Sequence, residues 1–155
     1  MSPPTKSGDA PAHRLVTWSP QAVALGMEMV ASEPAKATLK IPYRLDLVGD
    51  PDTGVISGGV VTTLLDHTCG HAVGMAMSQA GPVATLDLRI DYMRAARPGL
   101  DITAHAHCYK LTHAIAFVRA SAYDADPSDP VATAQAAFML TAAGPEPADE
   151  AEGTA

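Results

Sequence analysis

Basic charge is scarce in this chain, and the middle of it carries almost no charge of either sign. Ten Lys and Arg stand against 17 Asp and Glu in 155 residues, a formal net charge of −7. That is the wrong sign for general attachment to nucleic acid or to an anionic membrane. Only two cysteines occur, Cys69 and Cys108, both in apolar segments and neither in a CxxC pair. They read as reduced, buried thiols, with no disulfide framework of the kind that accompanies export. No apolar stretch follows Met1-Ser2-Pro3-Pro4, so no secretory signal is visible and the expected location is cytoplasmic. The uncharged run from His67 to Leu86 contains His67, His71, Gln79 and Pro82, which a membrane-spanning helix rarely tolerates, and no membrane segment is expected.

Apolar residues make up 47% of the chain, enough to build a core without disulfides or a structural metal. One domain is expected over residues 15–144, preceded by a flexible tail, 1–14, and followed by an acidic one, 145–155. The latter combines Glu146, Asp149, Glu150 and Glu152 with Pro, Ala and Gly and has no large apolar residue, so it cannot offset the entropy of ordering.

Ser19-Pro20 caps and opens a short helix that the pattern carries through Ala22, Val23, Leu25, Met27 and Met29. Alternation from Ala37 to Leu47 predicts a half-buried strand, with Pro42 marking an edge or a bulge. After a turn cluster at 49–54, residues 58 to about 78 are too long for a strand and nearly uncharged, which predicts a helix buried on almost every side. Four alternating segments follow, 83–93, 102–111, 114–123 and 131–141. On regular alternation Thr85 shares a face with Val83, Asp87 and Arg89, opposite Leu88, Ile90 and Tyr92. A helix too apolar for solvent, followed by enough strands to wrap it, implies an α+β arrangement in which an antiparallel sheet curls around the helix.

Asp66 is the only formally charged residue between Thr53 and Leu86. A carboxylate in an apolar helix costs several kcal/mol to desolvate unless it is hydrogen-bonded, paired or wet, and such groups often mark functional sites. Its neighbours three and four residues away, Thr62, Thr63, Cys69 and Gly70, are small, leaving room for a ligand. Thr62, Thr63 or a neighbouring chain could equally satisfy it. Ser57-Gly58-Gly59 opens the same helix: Ser57 can cap it, and the glycines leave first-turn N–H groups unobstructed at the positive end of the helix dipole. Donors so placed can hold a developing oxyanion, although a tight loop entry would use the same residues.

The spacing of these features, Gly54-Val-Ile-Ser-Gly-Gly-Val-Val-Thr-Thr-Leu-Leu-Asp66 followed by Ala84-Thr-Leu-Asp-Leu-Arg-Ile-Asp-Tyr-Met-Arg-Ala-Ala-Arg-Pro-Gly99, resembles the phenylacetate-pathway (PaaI-like) thioesterases of the hotdog superfamily. The match runs from about residue 37 to 141. The resemblance implies a hotdog fold and hydrolysis of acyl-CoA at the interface of a homodimer or dimer of dimers, with no cofactor and no metal. It assigns the Gly58 N–H to the thioester carbonyl, with Gly59 supporting the turn. Asp66, from the partner subunit, becomes general base or nucleophile, and Thr85 helps place the water. Two positions depart from the family pattern: Ser57 replaces the His before the glycine pair, and Pro51 falls where an Asn is often found. Ser57 can still cap the helix beside the substrate. Arg94 and Arg97 fall where the family's basic strand end meets CoA phosphates, and His113 is a further phosphate candidate.

Three other readings remain open on the sequence. A non-catalytic acyl-CoA-binding module is favoured by Ser57 and Pro51 and opposed by Gly58, Asp66 and Thr85. An enoyl-CoA hydratase would use Asp66 with His71, but five helical residues turn the two side chains well apart. A metal site on His67 and His71 has the right i, i+4 spacing but no evident third ligand. His105 and His107 share a strand face, which fits surface or interface roles as well as metal. Cys69 lacks a basic partner placed to lower its pKa and is disfavoured as a nucleophile.

Overall fold

The computed structural model describes residues 18–79 and 81–141; the expected tails 1–14 and 145–155 lie outside the described residues. Helix α1 (Pro20–Leu25) leads into strands β1 (Glu28–Glu33) and β2 (Lys36–Ile41). A 3-10 turn (Leu45–Leu47) and a two-stranded ribbon, β3 (Val48–Asp50) with β4 (Val55–Ile56), precede the long helix α2 (Gly58–Ala76). Strands β5 (Val83–Tyr92), β6 (Ile102–Leu111), β7 (Ile115–Tyr123) and β8 (Ala132–Leu140) complete the fold. The main sheet is antiparallel, in the order β1-β2-β6-β7-β8-β5, and α2 lies across its inner face. This is the hotdog architecture, and the expected α+β class and central helix are found.

Two boundaries differ from the pattern reading. The first helix ends at Gly26, whose left-handed backbone (φ 70°) returns its N–H to the Ala22 and Val23 carbonyls. Met27 and Met29 therefore fall outside the helix, and Met29 lies in the unexpected strand β1. The alternation at 37–47 covers two elements: β2 stops at Ile41, because Pro42 has no N–H to offer a ladder, and Leu45–Leu47 tighten into the 3-10 turn. Nor is β2 an edge; it pairs with both β1 and β6.

Helix α2 contains three Val, three Thr and four Gly, a composition of weak intrinsic helicity, so its stability comes from packing. Leu64, Leu65, Cys69, Ala72 and Val73 are fully buried beneath it, and each leucine contributes roughly 2 kcal/mol relative to exposure. The facing sheet is floored with small side chains. Ala104, Ala122, Ala132 and Ala134 lie with Val61, Leu64 and Leu65 under the N-terminal half, and Ala37, Ala106, Ala116 and Ala136 lie with Cys69, Ala72 and Val73 under the C-terminal half. Such a floor lets the helix ride close to the sheet.

Candidate active site

Ser57 caps α2 as expected, its hydroxyl accepting from the Gly59 N–H at 3.3 Å. The cap is fixed from behind: the Ser57 N–H donates to the Leu47 carbonyl at 2.9 Å. A Cβ on Gly49 would stand only 2.8 Å from the Ser57 Cα, so glycine at 49 is what allows the β3–β4 ribbon to lie against the cap. Gly58 and Gly59 are exposed. With Gly59 turned to the Ser57 hydroxyl and Val60 and Val61 to the Ser57 carbonyl, the Gly58 N–H is the first-turn donor left without a partner among the described residues, at the positive end of the helix.

Asp66 projects from the middle of α2, and the Thr85 hydroxyl donates to its Oδ1 at 2.9 Å. Two of the sequence-selected residues thus meet directly. Thr62 and Thr63, the alternative partners for Asp66, instead donate to the Gly58 and Gly59 carbonyls, at 3.1 and 2.9 Å. Thr85 reaches the helix because strand β5 carries a bulge: its pairing with β8 shifts between Thr85 and Asp87. The extra residue, Leu86, brings Thr85 onto the same inner face as Leu88, Ile90 and Tyr92. The face expected from regular alternation, with Thr85 beside Asp87 and Arg89, is corrected accordingly.

Gly58 and Asp66 do not meet within one chain. Eight helical residues separate them by about 12 Å along the axis. The helix start does have another neighbour that the sequence reading passed over. The Tyr92 hydroxyl donates to the Gly58 carbonyl at 2.7 Å and also contacts the Thr62 hydroxyl. Beside it opens a cavity of about 330 Å3, lined by Ile56, Gly58, Val61, Tyr92, Met93 and Val131 among others, an apolar recess at the foot of an oriented donor.

Arg94 turns inward at this end. Its two terminal nitrogens clasp Asp124 at 2.9 and 2.7 Å and reach the Asp129 carbonyl at 2.8 Å. The paired guanidinium holds the fully enclosed Asp124 carboxyl far below the usual carboxylate range. The two terminal nitrogens of Arg94 are therefore taken up within the chain, while its buried Nε, 3.2 Å from an Asp129 carboxylate oxygen, makes no hydrogen bond among the described residues. Arg97 is exposed, 3.6 Å from Asp129. His113 lies in the β6–β7 hairpin, at the end of the sheet where Ala35 meets the Met75 carbonyl near the close of α2; the chain does not bring it to Gly58.

Burial pushes the Cys69 thiol up to about 12, with the nearby Asp66 charge adding to the shift, which leaves it protonated and without nucleophilic character at neutral pH. His67 and His71 sit with ring centroids 5.5 Å apart. Burial, with some repulsion from His67, lowers His71 to about 4. Among the described residues no group of three or more His, Cys, Asp or Glu is gathered as a metal site would require. No helix there is long and apolar enough to cross a membrane.

The Thioesterase superfamily profile matches residues 53–131, a span that begins before the helix cap and ends beyond Asp124. A Halobacterium salinarum protein provisionally named esterase VNG_1336C is 31% identical over 125 residues, covering 75% of this chain and 81% of its own. The medium/long-chain acyl-CoA thioesterase YigI of Salmonella typhimurium is 28% identical over 130 residues, 76% of this chain and 83% of its own. Among solved structures, a Pseudomonas aeruginosa protein is 38% identical with a TM-score of 0.77, covering 84% of this chain and 96% of its own. The Escherichia coli PaaI protein of the phenylacetic acid degradation operon shares the fold at 16% identity, with a TM-score of 0.75 over 84% of this chain and 91% of its own.

Proposed function

This chain belongs to the thioesterase superfamily, and from that membership we propose that it is an acyl-CoA thioesterase, hydrolysing a thioester to a free acid and CoA. The hydrogen bond from Thr85 to Asp66 carries the reading. It places an oriented carboxylate on the helix, with Oδ1 held and Oδ2 left for chemistry. The Gly58 N–H is the complementary electrophilic element, and the distance of about 12 Å between them along the helix favours a site that pairs Gly58 of one copy with Asp66 of another. Strand β5 supports this assembly: among the described residues it pairs only with β8, leaving a ten-residue edge that presents Thr85 and the half-exposed Leu86. Long unpaired edges of this kind are templates for a second chain.

In the reaction the thioester oxygen accepts from the Gly58 N–H, which polarises the carbonyl carbon. Asp66 of the other copy either removes a proton from the attacking water or attacks the carbon itself, the second route giving a mixed anhydride that water then hydrolyses to free the acid and restore the carboxylate. The tetrahedral oxyanion keeps its bond to Gly58 as it collapses, the C–S bond breaks, and CoA leaves as thiolate. The apolar cavity beside Gly58 suits a hydrocarbon acyl group, and the name of the Salmonella relative favours medium to long chains as the first ones to try. Arg97, exposed at the same end, is the guanidinium we assign to the CoA phosphates, since Arg94 is bound to Asp124.

Thiol release from a panel of aliphatic and aromatic acyl-CoAs, wild type against Asp66→Asn, tests the reading. Loss of a general base lowers turnover by about 100-fold or more; near-normal turnover by Asp66→Asn defeats the assignment. Tight acyl-CoA binding with no turnover by the wild type would instead identify a binding module.

A further inference from the structure

Gly58 poses a physical problem for the site. It stands at the first position of a helix, exposed and without a side chain, where backbone freedom is greatest. A donor aimed at a developing oxyanion is effective only if it is held in place before the reaction. The peptide group that carries the Gly58 N–H is held at its other end, where the Ser57 carbonyl accepts from the Val60 N–H at 3.0 Å, and the peptide group before it by the bond from the Ser57 N–H to Leu47. The next peptide group, which carries the Gly58 carbonyl, is held by Tyr92. Its hydroxyl donates to that carbonyl at 2.7 Å, and the Thr62 hydroxyl lies within reach of both oxygens. Two hydroxyl protons thus serve three contacts among Tyr92, Thr62 and Gly58. The Tyr92 ring lies about 3.8 Å from the point where a Gly58 Cβ would stand, so the absence of a side chain there lets the ring lie close.

We propose that Tyr92 is a positioning residue that fixes the Gly58 N–H through the Gly58 carbonyl, and this rests on the thioesterase reading. The bulge at Leu86 is what makes the arrangement work. Thr85 and Tyr92 are seven residues apart, so in a regular strand they would point to opposite faces. With the register shift they share the inner face, and one strand holds the helix at two places, Asp66 through Thr85 and Gly58 through Tyr92.

The test uses the full-length protein and two substitutions. Tyr92→Phe keeps the ring in the cavity wall and removes only the hydroxyl; Tyr92→Leu removes both. With the acyl-CoA that the wild type turns over best, Tyr92→Phe is expected to lower kcat by about tenfold while KM, melting temperature and oligomeric state stay unchanged. Backbone 15N relaxation adds a readout that needs no turnover: order parameters at Gly58 and Gly59 should fall from about 0.85 towards 0.6 in Tyr92→Phe. Wild-type kcat in Tyr92→Phe, or order parameters unchanged there, overturns the proposal while leaving the thioesterase reading intact. A loss seen only in Tyr92→Leu, and in KM, assigns Tyr92 to the cavity wall and also overturns it. A wild type that turns over no acyl-CoA defeats the thioesterase reading and the catalytic part of the proposal together.

Discussion

Replacing Gly58 with proline removes one hydrogen-bond donor and little else. Gly58 occupies the first helical position, where proline is accommodated because the missing N–H has no partner in the helix. Ser57, the residue before it, has φ −55° and ψ 134°, in the extended region that a following proline requires. The new Cβ would lie 3.7 Å from the Tyr92 hydroxyl, ordinary van der Waals contact. Stability should therefore barely change. Turnover should fall, because loss of a single oxyanion donor typically costs about 100- to 1,000-fold in kcat, or about 2.7–4 kcal/mol of transition-state stabilisation. Gly58→Ala is the matched comparison: it adds the same Cβ and keeps the N–H, so the ratio of the two variants isolates the donor. The assay is thiol release under saturating acyl-CoA, with melting temperatures recorded for both. Turnover of Gly58→Pro within about threefold of Gly58→Ala, at equal stability, would refute the assignment of this N–H to the oxyanion.

Four further outcomes are expected. Co-expressed Asp66→Asn and Gly58→Pro chains should regain activity that neither homo-oligomer has, since a mixed pair contains one intact site; no recovery in isolated hetero-oligomers would mean that the site does not span two copies. Cys69→Ala should retain wild-type kcat and native Cys69 should resist iodoacetamide, because burial keeps the thiol protonated. His71 is held near 4 in the folded state against 6.5 when unfolded, so between those values the unfolded chain binds the extra proton and stability declines as pH falls. The contribution is full above about 6.5 and amounts to about 3 kcal/mol lost by pH 4, and His71→Phe should flatten that limb of a urea-denaturation series. Asp124→Asn, which leaves the Arg94 guanidinium half-buried without its carboxylate, should lower the melting temperature by more than about 5 °C.

Much of the fold was legible because its signals are periodic and long. A stretch of some twenty residues opening on Ser57, with Asp66 its one formal charge, could only be a buried helix, and four alternating segments punctuated by turns could only wrap it. The lone carboxylate at Asp66 stood out for the same reason. What escaped was set by single residues with tertiary partners. β1 is mostly exposed, so it has no apolar period to read, and Met27 before it and Met29 within it continued the pattern of the preceding helix. The bulge at Leu86 leaves no mark on composition yet inverts the facing of Thr85. Tyr92 looked like an ordinary inward strand residue, and its bond to Gly58 spans 34 positions. The charge on Arg94 suggested a phosphate, whereas its partner Asp124 lies 30 positions away.

The alanine floor under α2 has a mechanical consequence. Gly58 and Asp66 are mounted on one rigid rod, and the two packing clusters beneath it meet near Asp66. The rod therefore has a fulcrum at the carboxylate and a lever arm of two turns reaching to the oxyanion donor. Enlarging Ala132 or Ala134 should raise the donor's end while Asp66 stays on Thr85. Enlarging Ala136, near Cys69, should press on the opposite arm. On the proposed two-copy site, side chains that never meet a substrate thus act as shims for the angle at which one copy offers the Gly58 N–H to the next.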